Sequence, residues 1–388
     1  MKISDIADII NVTEKEPSNS GIDIFVGLEH YDIAEPVIKR YGSTKMLSTA
    51  AKIFEAGDVL IARRNVYLQR ASVARFAGLT SGDSIVLRVK KDLNLEGTNY
   101  KTICKLLPFI LNSINFWDYA NTNADGTMSK RLSPAMLLDY EFNLPSIDEQ
   151  KVLAEKLWAA YEVKQSYLKM IDATDEMVKA QFVEMFGDPL TNPLKWDVIP
   201  LSEFGECKNG MNFSTKENGF SIKCLGVSDF GNNSIIDNLE VISTISLNAA
   251  PSNDYLLQDG DIVFVRSNGN KDLVGRSIMA YPGKQKLTFS GFCIRFRLMG
   301  DKCEYINPIF LLCLFKQESI RKKLAGRGAN INNLNQKILS SLMIIVPPLS
   351  KQIEYVDIVQ QADKSKAELR KSIDAIDKVI KSLINENL

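Results

Sequence analysis

Leu144-Pro145-Ser146-Ile147-Asp148-Glu149-Gln150 returns 202 positions later as Val346-Pro347-Pro348-Leu349-Ser350-Lys351-Gln352. The same offset, without a gap, pairs Ala160 with Ala362, Lys164 with Lys366 and Lys169 with Lys371. It then pairs Ile171-Asp172-Ala173-Thr174-Asp175 with Ile373-Asp374-Ala375-Ile376-Asp377. Upstream, Gly126, Leu132 and Leu137 meet Gly328, Leu334 and Leu339 in that frame. Small slips bring Gly57-Asp58-Val59-Leu60 onto Gly260-Asp261-Ile262-Val263, and Ser81-Gly82 onto Ser290-Gly291. They also bring Gly27 onto Gly226 and Ile3-Ser4 onto Leu201-Ser202. Offsets that change along a chain mark loop insertions in a shared core, so the sequence reads as two copies of one unit.

Each copy ends in a helix. Asp148 to Phe186 and Ser350 to Asn387 contain neither Pro nor Gly, with Pro145 or Pro347-Pro348 before them and Gly187-Asp188-Pro189 after the first. Apolar positions recur at alternating spacings of four and three: Tyr355, Val359, Ala362, Lys366, Leu369, Ile373, Ile376, Ile380 and Leu383 in the second copy. Subtracting the offset gives Leu153, Leu157, Ala160, Lys164, Tyr167, Ile171, Thr174, Val178 and Gln181. A 3.5-residue period held this long predicts a coiled-coil seam between the two helices, each roughly 55 Å long. The first seam is the poorer, with Thr174 and Gln181 standing where the second has Ile376 and Leu383.

The remainder reads as mixed α/β. Short β-branched or alternating runs lie at 22–26, 58–62, 84–89, 261–265 and 292–297, and helical patterns at 106–117 and 308–324. The expected domains are 1–146, a helix at 147–187, 188–346 and a helix at 347–388. Rotating one copy onto the other brings the end of the second helix near the start of the first domain. The expected fold is therefore a pseudo-twofold cyclic repeat: two α+β domains separated by a pair of long antiparallel coiled-coil helices.

Charge is balanced, with 47 basic and 47 acidic residues, which alone argues mildly against a nucleic-acid binder. It is also segregated. Val59 to Gly82, Leu273 to Gly300 and Ser319 to Ile353 contain no acid, and they carry four, five and six basic residues. Six scattered cysteines without a C-x-x-C pair read as reduced thiols. No leader or membrane-length apolar run is present, so a soluble cytoplasmic protein is expected.

Catalytic constellations are missing. There is no Gly-x-x-x-x-Gly-Lys-Ser/Thr phosphate loop and no Asn/Asp-Pro-Pro-Tyr/Phe signature of amino-methyltransferases. His30 is the only histidine, which rules out a multi-His site, and it reads as structural. Asp229-Phe230-Gly231 has no His-Arg-Asp partner and reads as coincidence.

The two junctions, Gly126 to Gln150 and Gly328 to Gln352, share one pattern: Gly, a Leu-containing stretch, a short apolar run, then Pro-(Pro)-hydrophobic-x-x-Gln opening a long helix. With Phe25-Val26-Gly27-Leu28-Glu29-His30, the run Phe182 to Pro189, and Trp196, this order and duplication resemble the specificity subunit of type I restriction-modification enzymes over essentially the whole chain. The first junction departs slightly, with Pro145-Ser146 for Pro347-Pro348. The resemblance implies a non-catalytic protein in which each globular unit reads one half of a split, asymmetric target in double-stranded DNA. It implies helices that set the unspecified gap, two modification (methyltransferase) subunits using S-adenosylmethionine, and restriction motor-nuclease subunits using ATP and Mg.

Arg grips guanine's acceptors bidentately, and Asn or Gln grips adenine. Two segments that follow strands are therefore the first candidates for DNA contact: Arg63, Arg64, Asn65, Tyr67, Gln69 and Arg70, and, in the second copy, Arg266, Asn268, Asn270 and Lys271, with Arg276 beyond. Arg131 and, in the matching position, Arg327, Asn330, Asn332 and Asn333 form a second set. Arg63 and Arg266 occupy equivalent places after Gly-Asp and are as well suited to bracing the fold. Two other readings are a recognition fragment of a single-chain restriction-methyltransferase and a coiled-coil adaptor that binds proteins. A catalytic signature in a contiguous frame would favour the former, and indifference to DNA sequence the latter.

Overall fold

A computed structural model describes residues 1–388 except Asn94, Met128, Asn232, Asn233 and 326–332; the Lys271 side chain also lies outside the described set. The chain forms two compact units, Met1–Met170 with Glu368–Leu388, and Ile171–Ala367. Each unit therefore takes part of both long helices, Ile147–Phe186 and Leu349–Asn387.

In the first unit, an antiparallel sheet runs in the order Ala7–Ile10, Ser84–Val89, Val59–Ala62, Ala71–Val73. A second sheet sets Ile24–Val26 parallel to Gly78–Thr80. Helices Tyr100–Ile110 and Ile114–Asn123 cover the first sheet, burying Leu106, Phe109, Phe116 and Trp117 in one core. That core also takes Leu153, Leu157 and Tyr161 from the first long helix and Ile384 and Leu388 from the second. Lys164 meets Asp377 at 2.8 Å, so the opening of one helix lies antiparallel to the close of the other.

The second unit repeats the plan. Cys293–Leu298 pairs antiparallel with Asp261–Val265, and Phe220–Leu225 runs parallel to Leu287–Phe289. Helices Pro308–Lys316 and Glu318–Ala325 stand where the first unit has its own pair. Phe182, Phe186, Phe310 and Tyr355 interlock, with ring centroids 5.0–5.7 Å apart. Lys366 meets Asp175 at 2.6 Å, the counterpart of Lys164 with Asp377 one repeat earlier. Every position of both seams is buried or half-buried, Leu153, Leu157, Ile171, Val178, Val359, Leu369, Ile373, Ile376 and Ile380 among them. Lysine at a seam is tolerated here because its ammonium reaches an acid on the facing helix.

The helix starts have a local cause. Ser146 precedes the first helix, and its N–H and hydroxyl both donate to Glu149 at 2.9 and 2.7 Å, closing the first turn. Gln150, 1% exposed, donates to the carbonyls of Pro145 and Gly97; Gln352, fully buried, donates to those of Pro347 and Tyr305 and accepts the Asn307 N–H. The junction glutamine thus pins each long helix to the loop entering its domain's helix pair. Gly187, at φ +73°, ends the first helix with its N–H on the Val183 carbonyl.

Candidate nucleic-acid interface

The Gly-Asp turns carry the frame on which the candidate residues stand. Gly57 and Gly260 take φ +98° and +88°, which favours glycine, and the next residue is a buried aspartate. Asp58 accepts both forks of Arg88 at 2.7 Å and the Glu55 N–H at 2.8 Å. Asp261 accepts Arg297 at 2.7 and 2.6 Å and the Gln258 N–H at 2.7 Å. The hydrogen bonds that Arg88 donates to Asp58 raise its guanidinium above the ordinary range against the opposing effect of burial. Each bidentate pair locks the strand that leads to the candidate segment.

Past that strand, three segments meet in each unit. The Arg63 N–H donates to the Asp83 carbonyl at 3.0 Å, and the Leu132 N–H to the Arg63 carbonyl at 2.9 Å. In the second unit the Arg266 N–H donates to the Phe292 carbonyl, and the Leu334 N–H to the Arg266 carbonyl, both at 2.8 Å. Ser81 Oγ accepts the Asp83 N–H at 3.2 Å and Ser290 Oγ accepts the Phe292 N–H at 3.3 Å, so even the turn is shared. Arg64 bridges to Arg131, as Ser267 does to Asn333.

The side chains on these matched backbones differ. Arg64 and Arg131, each about half exposed, flank Asp83 at 3.8 and 3.6 Å. Arg64 Nε donates to Ser129 Oγ, which donates to Asn65 Oδ1, both at 3.0 Å. Asn65 sits in the left-handed region at φ +56°, which asparagine tolerates. In the second unit, Val227, Ser267, Asn268, Gly269, Phe292 and Asn333 line an open hollow of about 440 Å³, with Phe292 61% exposed.

Not every candidate joins these clusters. Tyr67 is exposed nearby. Arg70 is buried and donates to the Leu28 and Arg64 carbonyls, both at 2.9 Å, so it braces the loop. Gln69 lines a separate hollow beside the long helices, with Tyr161 and Lys164. Arg266 donates to the Gly291 carbonyl at 3.3 Å, a bracing bond. Asn268 Oδ1 accepts the Asn270 N–H at 2.8 Å, and Asn270 Oδ1 accepts the Asp272 N–H at 3.0 Å, shaping the turn. Arg276 lines a different groove with Arg321. Arg327, Asn330 and Asn332 lie outside the described residues, as does the side chain of Lys271.

Asp83, Ser129, Phe292 and Val227 were absent from the candidates. The acid-free window ends at Gly82, one residue short of Asp83. The matched Ser-Gly pairs at 81–82 and 290–291 did point at the next position. His30 is structural: its Nδ1 accepts the Gly27 N–H at 2.8 Å, the place that Asp229 takes with the Gly226 N–H at 2.7 Å. Asp229-Phe230-Gly231 is thus a turn. No cluster of His, Cys, Asp and Glu suited to a metal occurs among the described residues, nor a helix long and apolar enough to cross a membrane.

A duplicated α+β unit, with matched loops of unlike chemistry and a helix pair in each unit, defines a class. Residues 193–377 match the type I restriction modification DNA specificity domain. Among its relatives, the StySPI specificity subunit of Salmonella potsdam is 27% identical over 67% of this chain and 59% of its own length. The EcoKI specificity subunit of Escherichia coli K12 is 22% identical over the same shares. The chain therefore spans about three-fifths of the length of these relatives. Among solved structures, the type I restriction-modification S subunit from M. genitalium is similar over 100% of this chain and 95% of that one, at 15% identity and a TM-score of 0.51. A chain from a study of type I R-M assembly and conformational transition gives 100%, 97%, 15% and 0.57. These last two show the fold.

Proposed function

We propose that this chain is the DNA-recognition subunit of a type I restriction-modification enzyme, that it catalyses nothing itself, and that each globular domain reads one half of a split target. The observation that carries this is one backbone frame built twice, holding Arg64, Asp83 and Arg131 in one domain and Ser267, Phe292 and Asn333 in the other. A shared frame with unlike exposed side chains suits two readers of different sequences. Modification subunits supply S-adenosylmethionine-dependent adenine methylation, two of them per chain, and motor-nuclease subunits supply ATP- and Mg-dependent restriction; the work takes place in the cytoplasm. The long helices serve as the spacer that sets the gap.

Competition binding tests this. The chain assembled with its modification subunit binds one duplex far more tightly than scrambled competitor, and the logarithm of its affinity falls linearly with the logarithm of salt concentration. Equal affinity for all duplexes at every salt concentration refutes the proposal.

A further inference from the structure

The geometry points to three matched positions as the specificity-determining residues of each domain, with the first domain reading a guanine through Arg64 or Arg131 and the second an A·T pair through Asn333 and Phe292. This rests on the DNA-recognition reading above and deepens it to base class.

The argument begins with what the two frames hold constant. Position 83 and position 292 follow the same Ser-Gly turn and accept from the same arginine N–H, of Arg63 and Arg266. Positions 64 and 131 bridge each other as 267 and 333 do. The backbone therefore delivers three side chains to one place in each domain, and only their chemistry changes.

In the first domain two half-exposed guanidinium groups share a single carboxylate, at distances beyond hydrogen bonding. Most of their donors are unspent, and the pair carries one positive charge beyond what Asp83 balances. Guanine's O6 and N7 in the major groove are the acceptor pair that a guanidinium fork fits. Asp83 is a positioning residue: it holds both forks near one point without consuming them.

In the second domain the same three places are neutral. Phe292 stands 61% exposed, although its backbone is fixed by the bond from Arg266. Together with Val227 it gives the hollow an apolar wall facing the amides of Asn268 and Asn333 and the Ser267 hydroxyl. Asparagine pairs bidentately with adenine N6 and N7, and an aromatic edge packs on the thymine methyl, so an A·T step satisfies both groups together. A guanine-reading cation is missing from these three positions.

The test is selection from a duplex library randomised across both half-sites, using the chain assembled with its modification subunit. Wild type should enrich a guanine in one half-site and an A·T pair at the position read by Asn333 in the other. Arg64→Ala or Arg131→Ala should lower discrimination for that guanine by about 5- to 150-fold and leave the other half-site intact. Asn333→Ala or Phe292→Ala should act only on the A·T half-site. The exchange of Arg64→Ser, Asp83→Phe and Arg131→Asn together should change the bases enriched in the first half-site alone. The untouched half-site reports folding within the same molecule. If every variant keeps the full preference of wild type, or weakens all sequences uniformly, the assignment is overturned while the DNA-recognition reading stands. If wild type enriches no sequence, that reading itself falls.

Discussion

Asp58 and Asp261 are each nearly inaccessible, yet each closes a fork on an arginine that is about a quarter exposed. Removing Asp58 leaves Arg88 only the exposed Glu55, at 3.0 Å, as a partner, and because the guanidinium also keeps some water, the expected cost of Asp58→Ala is about 2–3 kcal/mol, below the range for a fully buried pair. Urea denaturation should show it, and Asp58→Ala with Arg88→Met should recover part of the loss. A double variant no more stable than the single one would contradict the pairing. The thiols give a second check at this scale. Burial, helped by Asp229, pushes Cys224 up to about 12, and burial pushes Cys313 up to about 11, whereas Cys303 is exposed. An alkylating reagent at neutral pH should modify Cys303 in the folded protein and reach Cys224 only after denaturation, read by peptide mass mapping. Equal labelling of both would contradict the placement of Cys224.

Among the elements, the long helices show what a sequence reveals and what it hides. Their observed starts, Ile147 and Leu349, fall one residue before the Pro- and Gly-free runs at Asp148 and Ser350, because Pro-flanked, heptad-periodic runs are local signals. The candidate interface is not local. Arg64, Asp83 and Arg131 lie far apart in sequence and meet only because the sheet returns Ser84–Val89 beside Val59–Ala62. Spacing along the chain cannot express that, so Arg70 looked equivalent to Arg64 until burial separated them. Nor did periodicity show how Lys164 is paid for at its seam: it contacts Asp377 at 2.8 Å and Glu35 at 3.0 Å. Burial raises the Glu35 carboxyl, but Lys39 and Lys164 outweigh it, and the net shift is downward from the ordinary 4.5. A depressed folded-state value stabilises the protein above the unfolded value and is lost as pH falls through the folded one. Glu35→Gln should therefore be less stable than wild type near neutral pH, with the difference closing as pH falls below the ordinary carboxyl value of 4.5. Denaturant midpoints across that range check it; a difference independent of pH would contradict it.

For the whole molecule, duplication is the organising fact. The frame repeats down to single hydrogen bonds, the junction glutamines repeat, and the lysine–aspartate contacts between helices repeat at Lys164 with Asp377 and Lys366 with Asp175. What does not repeat is the set of exposed side chains at the loops, which is the expected division between scaffold and reader. Inserting one matched heptad in both long helices should alter the tolerated gap between half-sites and leave the half-sites themselves unchanged. Altered half-sites with the old gap would contradict a spacer role. The central claim is most directly tested by mapping methylated adenines across a genome in cells that carry the modification subunit with and without this chain. The account predicts methylation confined to one asymmetric motif, two unlike short sequences separated by a gap of fixed length, and dependent on the chain. Methylation that ignores the chain, or that follows one uninterrupted sequence, would contradict it.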